Sequence, residues 1–331
     1  MNNIFYLILF FKLQLGVAYA ESIQRINTNI EGLRGKNSVS IAFASCIKDF
    51  KPRIWQSLAD KKPDIILLLG DNIYIADEYK ELRLLEELYA ANFSPPLVSE
   101  LLSRTPTFAI WDDHDFGLNN SDSSFPFKST TLKAFRGQWP NLPGPDNLKE
   151  SIAFKISLDF MDILMTDNRT YRVHSRNESE RVYFGDKQLR WIEAELDKSN
   201  KPLTIIASGN SLFPITGSPE SFRNVPGERR RLIDAINRSS SKVIAISGDL
   251  HHALVSKHGH PEKNIYEVTS SPLTAPFRSM RDGQSSPAVQ GVFAEDNNFG
   301  MLRIDHSENK LKIQAQIFDS HGNAAIDYKI K

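Results

Sequence analysis

Apolar side chains alternate through Val39, Ile41 and Phe43, so the pattern predicts a strand over Ser38–Ala44 that runs straight into Ser45-Cys46. Residues 53–61 place Ile54, Trp55 and Leu58 on one face of a predicted helix. Residues 64–69 read Asp-Ile-Ile-Leu-Leu-Leu, a continuous apolar run that predicts a strand covered on both faces, and Gly70-Asp71 follow at once. Residues 79–92 are amphipathic and predict a helix, after which Pro95-Pro96 breaks the chain. The same grammar recurs. A strand over 107–111 ends in Asp112-Asp113-His114-Asp115, and strands over 151–158 and 161–166 lead to Asp167. A helix over 185–198 precedes a strand over 203–207 that ends in Ser208-Gly209-Asn210. A charged helix within 226–237 precedes a strand over 242–246 that ends in Ser247-Gly248-Asp249-Leu250-His251-His252. Later strands fall at 265–269, 301–305 and 311–319, the last two forming a hairpin that turns near Glu308-Asn309. Residues 119–145 and 272–292 read as loops. No repeat or linker divides the chain, so residues 21–331 are expected to form a single layered α/β domain.

The first residues follow a different pattern. Residues 4–11 are an unbroken apolar run, and Ala18-Tyr19-Ala20 before Glu21 fits a small-x-small cleavage site. A signal peptide over residues 1–20 is expected, with a secreted or periplasmic product, and a retained anchor or a buried helix is the weaker reading. The run falls short of the roughly 20 apolar residues that a membrane span needs. Composition adds that 40 Lys and Arg balance 40 Asp and Glu, so no net field draws the chain to nucleic acid or an anionic membrane. The single cysteine, Cys46, excludes an intramolecular disulfide and leaves two readings, a small buried hydrophobe or a metal-binding thiol.

Polar residues carry the chemistry, and they gather where apolar strands end: Cys46, Asp71, the 112–115 run, Asn210, and Asp249 with His251. In open α/β sheets ligand sites lie beyond the carboxyl ends of the strands. Carboxylates, imidazoles and a thiolate brought together there are what a metal ion requires. Each piece alone has a plain explanation, since an aspartate after a strand is often a helix cap or a turn residue. Three carboxylates within four residues nevertheless repel one another unless a cation or strong hydrogen bonds offset them. Asp71 and Tyr74 stand three residues apart on a turn, and Asp249 and His251 occupy alternate positions on one side of an extended segment.

Five segments set the comparison: Phe43-Ala44-Ser45-Cys46, Gly70-Asp71-Asn72-Ile73-Tyr74, the stretch from Trp111 through Asp112-Asp113-His114-Asp115 to Phe116-Gly117, Asp167-Asn168-Arg169-Thr170-Tyr171-Arg172, and Ser247-Gly248-Asp249-Leu250-His251. With Gly185, Gln188, Trp191, Glu220 and Pro226-Gly227-Glu228-Arg229, their order over about residues 39–273 resembles the alkaline phosphatase D-like metallophosphatases of the calcineurin-type phosphoesterase superfamily. The resemblance implies an α/β/β/α sandwich and two metal ions. Cys46 and Tyr74 would bind the first, a pair suited to Fe3+, and Asp71 would bridge both. Asp113 would bind the second, a divalent ion such as Ca2+, Zn2+ or Mn2+, and Asp249 and His251 would close the set. Asn120 stands near where relatives often carry an aspartate, and can offer a neutral oxygen to a metal. Asn210 stands where the wider superfamily has a ligand histidine. His114 would sit beside the scissile ester, stabilising the transition state or protonating the leaving oxygen. Arg169 is the candidate phosphate-binding and catalytic cation, against an ion pair to Asp167 or to a core carboxylate, and Arg172 carries the same two readings. His252 is either substrate-facing or merely exposed.

The implied activity is metal-dependent hydrolysis of phosphomonoesters or phosphodiesters, with a phospholipase D-like attack on lipid headgroups as a narrower version. A carboxylate-only glycosidase could use two residues of the 112–115 run, but it leaves Cys46, Tyr74, Asp249 and His251 without roles. A non-catalytic, metal-stabilised binding protein is the third class. Asn92, Asn119, Asn168, Asn177 and Asn237 open glycosylation sequons, of which Asn119 and Asn168 fall inside the candidate site and read as chance matches.

Overall fold

The computed structural model describes residues 26–76, 81–215, 220–259, 263–280 and 286–331. The expected signal peptide lies outside these described residues. In chain order the strands are β1 (Ser38–Ala44), β2 (Ile65–Leu69), β3 (Thr107–Ile110), β4 (Phe154–Leu158), β5 (Met161–Met165), β6 (Leu203–Ser208), β7 (Lys242–Ser247), β8 (Ala253–Gly259), β9 (Asn264–Thr269), β10 (Val289–Phe293), β11 (Asn298–Ser307), β12 (Lys310–Asp319) and β13 (Ala324–Ile330). The α-helices are α1 (Pro52–Asp60), α2 (Leu82–Phe93), α3 (Pro96–Arg104), the single turn α4 (Asp113–Phe116), α5 (Lys128–Gln138), α6 (Gly185–Lys198) and α7 (Pro226–Arg238).

Two sheets result. One has the order β13-β12-β11-β1-β2-β3 and the other β10-β8-β9-β7-β6-β5-β4. Within them β1, β2 and β3 run parallel, as do β5, β6, β7 and β9, so their carboxyl ends point the same way in each sheet. Strand periodicity builds the layers. Ile163, Ile205 and Ile244 join Phe43, Leu67 and Phe108 in one core, while their neighbours Leu164, Ile206 and Ala245 join Leu189, Ile192 and Leu232 of α6 and α7 in a second. The first core also takes in Trp55, Leu85, Phe93 and Val98 of α1, α2 and α3. Helices over both sheets give the expected α/β/β/α sandwich, and the continuous apolar runs of β2 and β6 are strands buried on both faces.

Several elements escape the apolar pattern. Pro96 does not only break the preceding helix; it opens α3, where its fixed φ suits the first turn. The stretch 119–145 contains α5, whose buried stripe of Thr131, Ala134, Phe135 and Gln138 is half polar. The stretch 272–292 yields the half-buried edge strand β10, and β13 is an edge strand whose buried positions are only Ile326 and Ile330.

Close backbone contact at the strand ends positions the site. Gly70, at φ 88°, packs so tightly that a Cβ there would lie 2.6 Å from the Cβ of Asp112. A Cβ on Gly248, after β7, would lie 2.5 Å from that of Ser45, after β1 in the opposite sheet. The Leu273 N–H donates to the Ser45 carbonyl at 2.8 Å, and Trp111 Nε1–H donates to Asp167 at 2.8 Å, stitching the same ends together. Because successive β6 positions face two different cores, Ile205→Ala and Ile206→Ala should each cost about 2–5 kcal/mol in denaturant unfolding. A near-neutral result at either position would contradict the layer assignment.

Candidate metal centre

Of the positive-φ non-glycine residues among those described, five are candidate metal ligands held in left-handed conformations that ordinary side chains avoid: Cys46 (φ 59°), Asp71 (51°), Asn120 (61°), Asp249 (67°) and His251 (57°). Cys46, Asp71 and Asp249 lie within two residues of the ends of β1, β2 and β7. The turns are held by backbone bonds, Cys46 N–H to the Gly70 carbonyl at 3.1 Å and Ile47 N–H to the Asp71 carbonyl at 2.7 Å. Local strain that the surrounding fold enforces in this way marks functional sites.

Among the described residues, two groups bring ligand atoms within 4.8 Å of one another, Cys46 with Asp71 and His251, and Asp71 with Asp113 and His114. Asp71 belongs to both. Cys46 Sγ lies 3.7 Å from Asp71 Oδ2 and accepts from Ser271 Oγ at 3.1 Å. His251 Nδ1 lies 2.6 Å from the Pro276 carbonyl, which can only accept, so the ring proton sits on Nδ1 and Nε2 presents a lone pair. That Nε2 is 3.4 Å from the Tyr74 hydroxyl, which puts the phenol beside the first group. The Tyr74 ring also packs against the His114 imidazole, 4.2 Å between centroids. Asp113 Oδ1 accepts the N–H of His114 at 3.0 Å, and its Oδ2 accepts the N–H of Asn120 at 2.7 Å. Asn120 is itself exposed, so its link to the centre is its backbone.

Electrostatics test whether a cation fits. Burial, then the neighbouring carboxylates and the Cys46 thiol, holds the Asp71 carboxyl well above the ordinary range, and burial with the same carboxylate crowding does so for Asp249. Burial, then Asp249, pushes Cys46 up to about 12, and burial with the Cys46 and Asp71 charges raises Tyr74. Burial lowers His251 to about 4 and moves His114 down as well. Asp112 Oδ2 and His114 Nδ1 are buried without a hydrogen-bond partner. A thiol, a phenol, imidazoles and carboxylates, several held protonated only by burial and mutual repulsion, are a donor set that fits metal ions.

The 112–115 run divides by role. Asp113 and His114 face the centre. Asp115 instead accepts the Asn72 N–H and the Tyr89 hydroxyl, and burial raises it to about 7. Asp112 accepts from Arg169 Nε at 2.5 Å. Arg169 is fully enclosed, with its remaining nitrogens on Glu220 at 2.6 and 3.2 Å. This is the ion-pair alternative, with Asp112 and Glu220 as the carboxylates; Asp167 takes only its backbone N–H. Arg172 is likewise buried, donating to the Glu220 carbonyl and to His174 Nε2 and lying over the Tyr183 ring. Of the two readings for each arginine, the ion pair is the one seen for Arg169, whose guanidinium is enclosed by protein acceptors, while Arg172 keeps Nη1 buried without a partner. Asn210 is buried with its Nδ2 unpartnered, and His252 is partly buried with Nδ1 unpartnered. The sequence reading missed Arg278, an exposed cation whose charge bears on both His114 and His251 and whose N–H donates to the His251 carbonyl at 2.7 Å. It sits in the stretch read as a plain loop, where a lone arginine gives no pattern.

A family model described as PhoD-like phosphatase matches residues 41–316. No curated protein matches the chain. Among solved structures, PhoD superposes with a TM-score of 0.68 at 17% identity, over 90% of this chain and 73% of that one. Purple acid phosphatase PPD1 from yellow lupin (Lupinus luteus) seeds gives 0.63 at 13% identity, over 90% of this chain but 55% of its own length. GAP50, the anchor in the inner membrane complex of Plasmodium, gives 0.53 at 13%, over 89% of each chain. At such identities these superpositions show the shared fold.

Two outcomes follow from the electrostatics. Asp112, raised to about 6, and Asp115, raised to about 7, both stand at 3.8 unperturbed, so the folded metal-free chain binds more protons than the unfolded chain above pH 4. That stability is full below about pH 4 and is lost as pH rises through 6–7. His251 acts oppositely, but only below its ordinary 6.5. The Tm of the chelated protein should therefore fall between pH 6 and 8 and recover when metal is added; a flat or rising Tm would contradict it. Arg169→Ala leaves Asp112 and Glu220 buried without their cation and should cost about 3–5 kcal/mol in unfolding. An unchanged midpoint would mean that solvent, not Arg169, balances those carboxylates.

Proposed function

The chain belongs to the PhoD-like phosphatase family and is a hydrolase of phosphoester bonds; on that premise we propose that it works through a binuclear centre bridged by Asp71. The single observation that carries this reading is that Asp71 is common to both ligand groups. Cys46, Tyr74 and His251 would hold the first ion, for which thiolate and phenolate suit Fe3+, and Asp249 would add its charge there. Asp113 would hold the second, a divalent ion such as Ca2+, Zn2+ or Mn2+, with Asn120 supporting Asp113 through its backbone. Bound metal supplies Lewis acidity, polarising the phosphoryl group and acidifying the attacking water.

The protein's own groups do the rest. The Arg169 bridge to Asp112 and Glu220 fixes the turn that carries Asp113, whose carboxylate lies 4.0 Å from the guanidinium. Arg278 is exposed beside His114 and His251 and is our candidate to bind a phosphoryl oxygen. Burial lowers the proton affinity of His114. An arriving phosphate dianion would raise the proton affinity of that ring, allowing it to give a proton to the leaving oxygen. Substrates are small phosphomonoesters or diesters. A phospholipase D-like reading rests on Phe277, 46% exposed next to Arg278, a pairing that suits an ester with an apolar body. Export follows from the leader-like pattern of residues 1–20. Among the described residues, no helix is long and apolar enough to cross a membrane.

The test is hydrolysis of aryl phosphate mono- and diesters and of phosphatidylcholine, before and after chelation. Turnover should vanish on chelation and return with metal, whereas the carboxylate-only glycosidase class predicts no such dependence. His114→Ala should lower kcat by about 10²–10⁴ with metal content intact, and Arg278→Ala should act mainly on KM. Normal kcat in the His114 variant would remove that residue from the mechanism. Metal content without turnover on any ester would favour the binding-protein class.

A further inference from the structure

The Pro226-Gly227-Glu228-Arg229 motif contains one side chain that the metal centre does not explain. Glu228 is accounted for, because its carboxylate accepts the N–H groups of Tyr183, Phe184 and Gly185. Arg229 instead lines a separate pocket of about 490 Å³, together with Pro226, Ile215, Arg223, Arg230 and His258. Its guanidinium lies over the Phe213 ring, 6.0 Å from the centroid, and its Nε is buried without a hydrogen-bond partner. Arg223 turns one nitrogen to the Ile215 carbonyl at 3.3 Å. The other arginines of α6 and α7 behave differently, since Arg190, Arg231 and Arg238 each hold a carboxylate. Among the described residues no carboxylate is paired with Arg223, Arg229 or Arg230. Burial, then the charge of Arg223, depresses the Arg229 pKa. Pro226 marks the start of α7, so the positive end of a 13-residue helix adds to the same wall.

A half-buried guanidinium with an unsatisfied nitrogen, two like charges beside it and a helix N-terminus form a costly arrangement that an anion would stabilise. Tetrahedral oxyanions suit it best, because guanidinium groups can hold their oxygens in pairs. We propose that this pocket is a second anion site, distinct from the metal centre, which binds a phosphate group either as the free ion or on a lipid headgroup. None of the proposed metal ligands lines it.

Equilibrium dialysis of the metal-loaded protein against radiolabelled inorganic phosphate tests this. The wild-type chain should bind two phosphates, one at the metal centre and one here. Arg229→Ala should weaken one site by about tenfold or more, and so should the double variant Arg223→Ala/Arg230→Ala, with aryl phosphate hydrolysis unchanged in both. The double variant alters only exposed residues, so its result does not depend on how Arg229→Ala folds. Sedimentation with phosphatidylcholine vesicles, with and without phosphatidic acid, separates the sources. Arginine-dependent binding to phosphatidic acid assigns the headgroup, and phosphate binding alone assigns the free ion. The proposal is overturned if the only phosphate bound is one that both variants keep and vesicle binding is the same in all three proteins, or if a second phosphate survives in both variants. Hydrolysis is read separately, so its failure would count against the catalytic reading and not against this site.

Discussion

Everything at the catalytic end of this fold answers to one constraint, an excess of negative charge enclosed where the two sheets meet. Asp71, Asp112, Asp113 and Asp115 come from strand-end turns, and all four are almost wholly buried. Among the described residues, Arg169 is the cation fully enclosed with them, and it is committed to Asp112 and Glu220. Asp113 shows the reach of that charge, for it is held below the ordinary carboxylate range in spite of its burial, by Arg169 and His114. Asp71 and Asp249 stand well above that range, Asp249 even with the charge of Arg169 acting to lower it. The fold thus compensates Asp113 internally and leaves the rest of the acidic cluster raised, a charge excess that a bound cation would relieve.

Backbone geometry and electrostatics support each other here. Turns at positive φ are costly for Cys46, Asp71, Asp249 and His251. The sandwich enforces them because glycines let strand ends approach closely: Gly70 against Asp112 within one sheet, and Gly248 against Ser45 across the two. A bulkier residue at either glycine would push apart the turns that place ligand atoms within reach of one another. Rigid strands therefore determine the spacing of the donors, while the loop around Phe277 and Arg278 is more exposed.

The layered architecture was legible in the sequence because uninterrupted runs such as residues 64–69 and alternations such as Val39, Ile41 and Phe43 report burial directly. Edge strands β10 and β13 and helix α5 were not, since elements only partly covered carry no sustained apolar period. At the site, the recurrence of polar residues after strands pointed to Cys46, Asp71, Asp113 and His251, which the fold does bring together in ligand groups. The second of these groups also includes His114, which the sequence reading placed beside the scissile ester. The roles of charged residues were harder to read. Nothing in the spacing of Arg169 announces Glu220, 51 residues away, and Arg278 becomes visible only when its loop folds back to hydrogen-bond His251.

The central claim is that Asp71 joins two metal ions in one centre, and elemental analysis of the purified chain beside Asp71→Asn tests it most directly. The account predicts close to two metal ions per wild-type chain, iron among them, and loss of both in the variant. One ion per chain, or a variant that keeps the wild-type content, would contradict it.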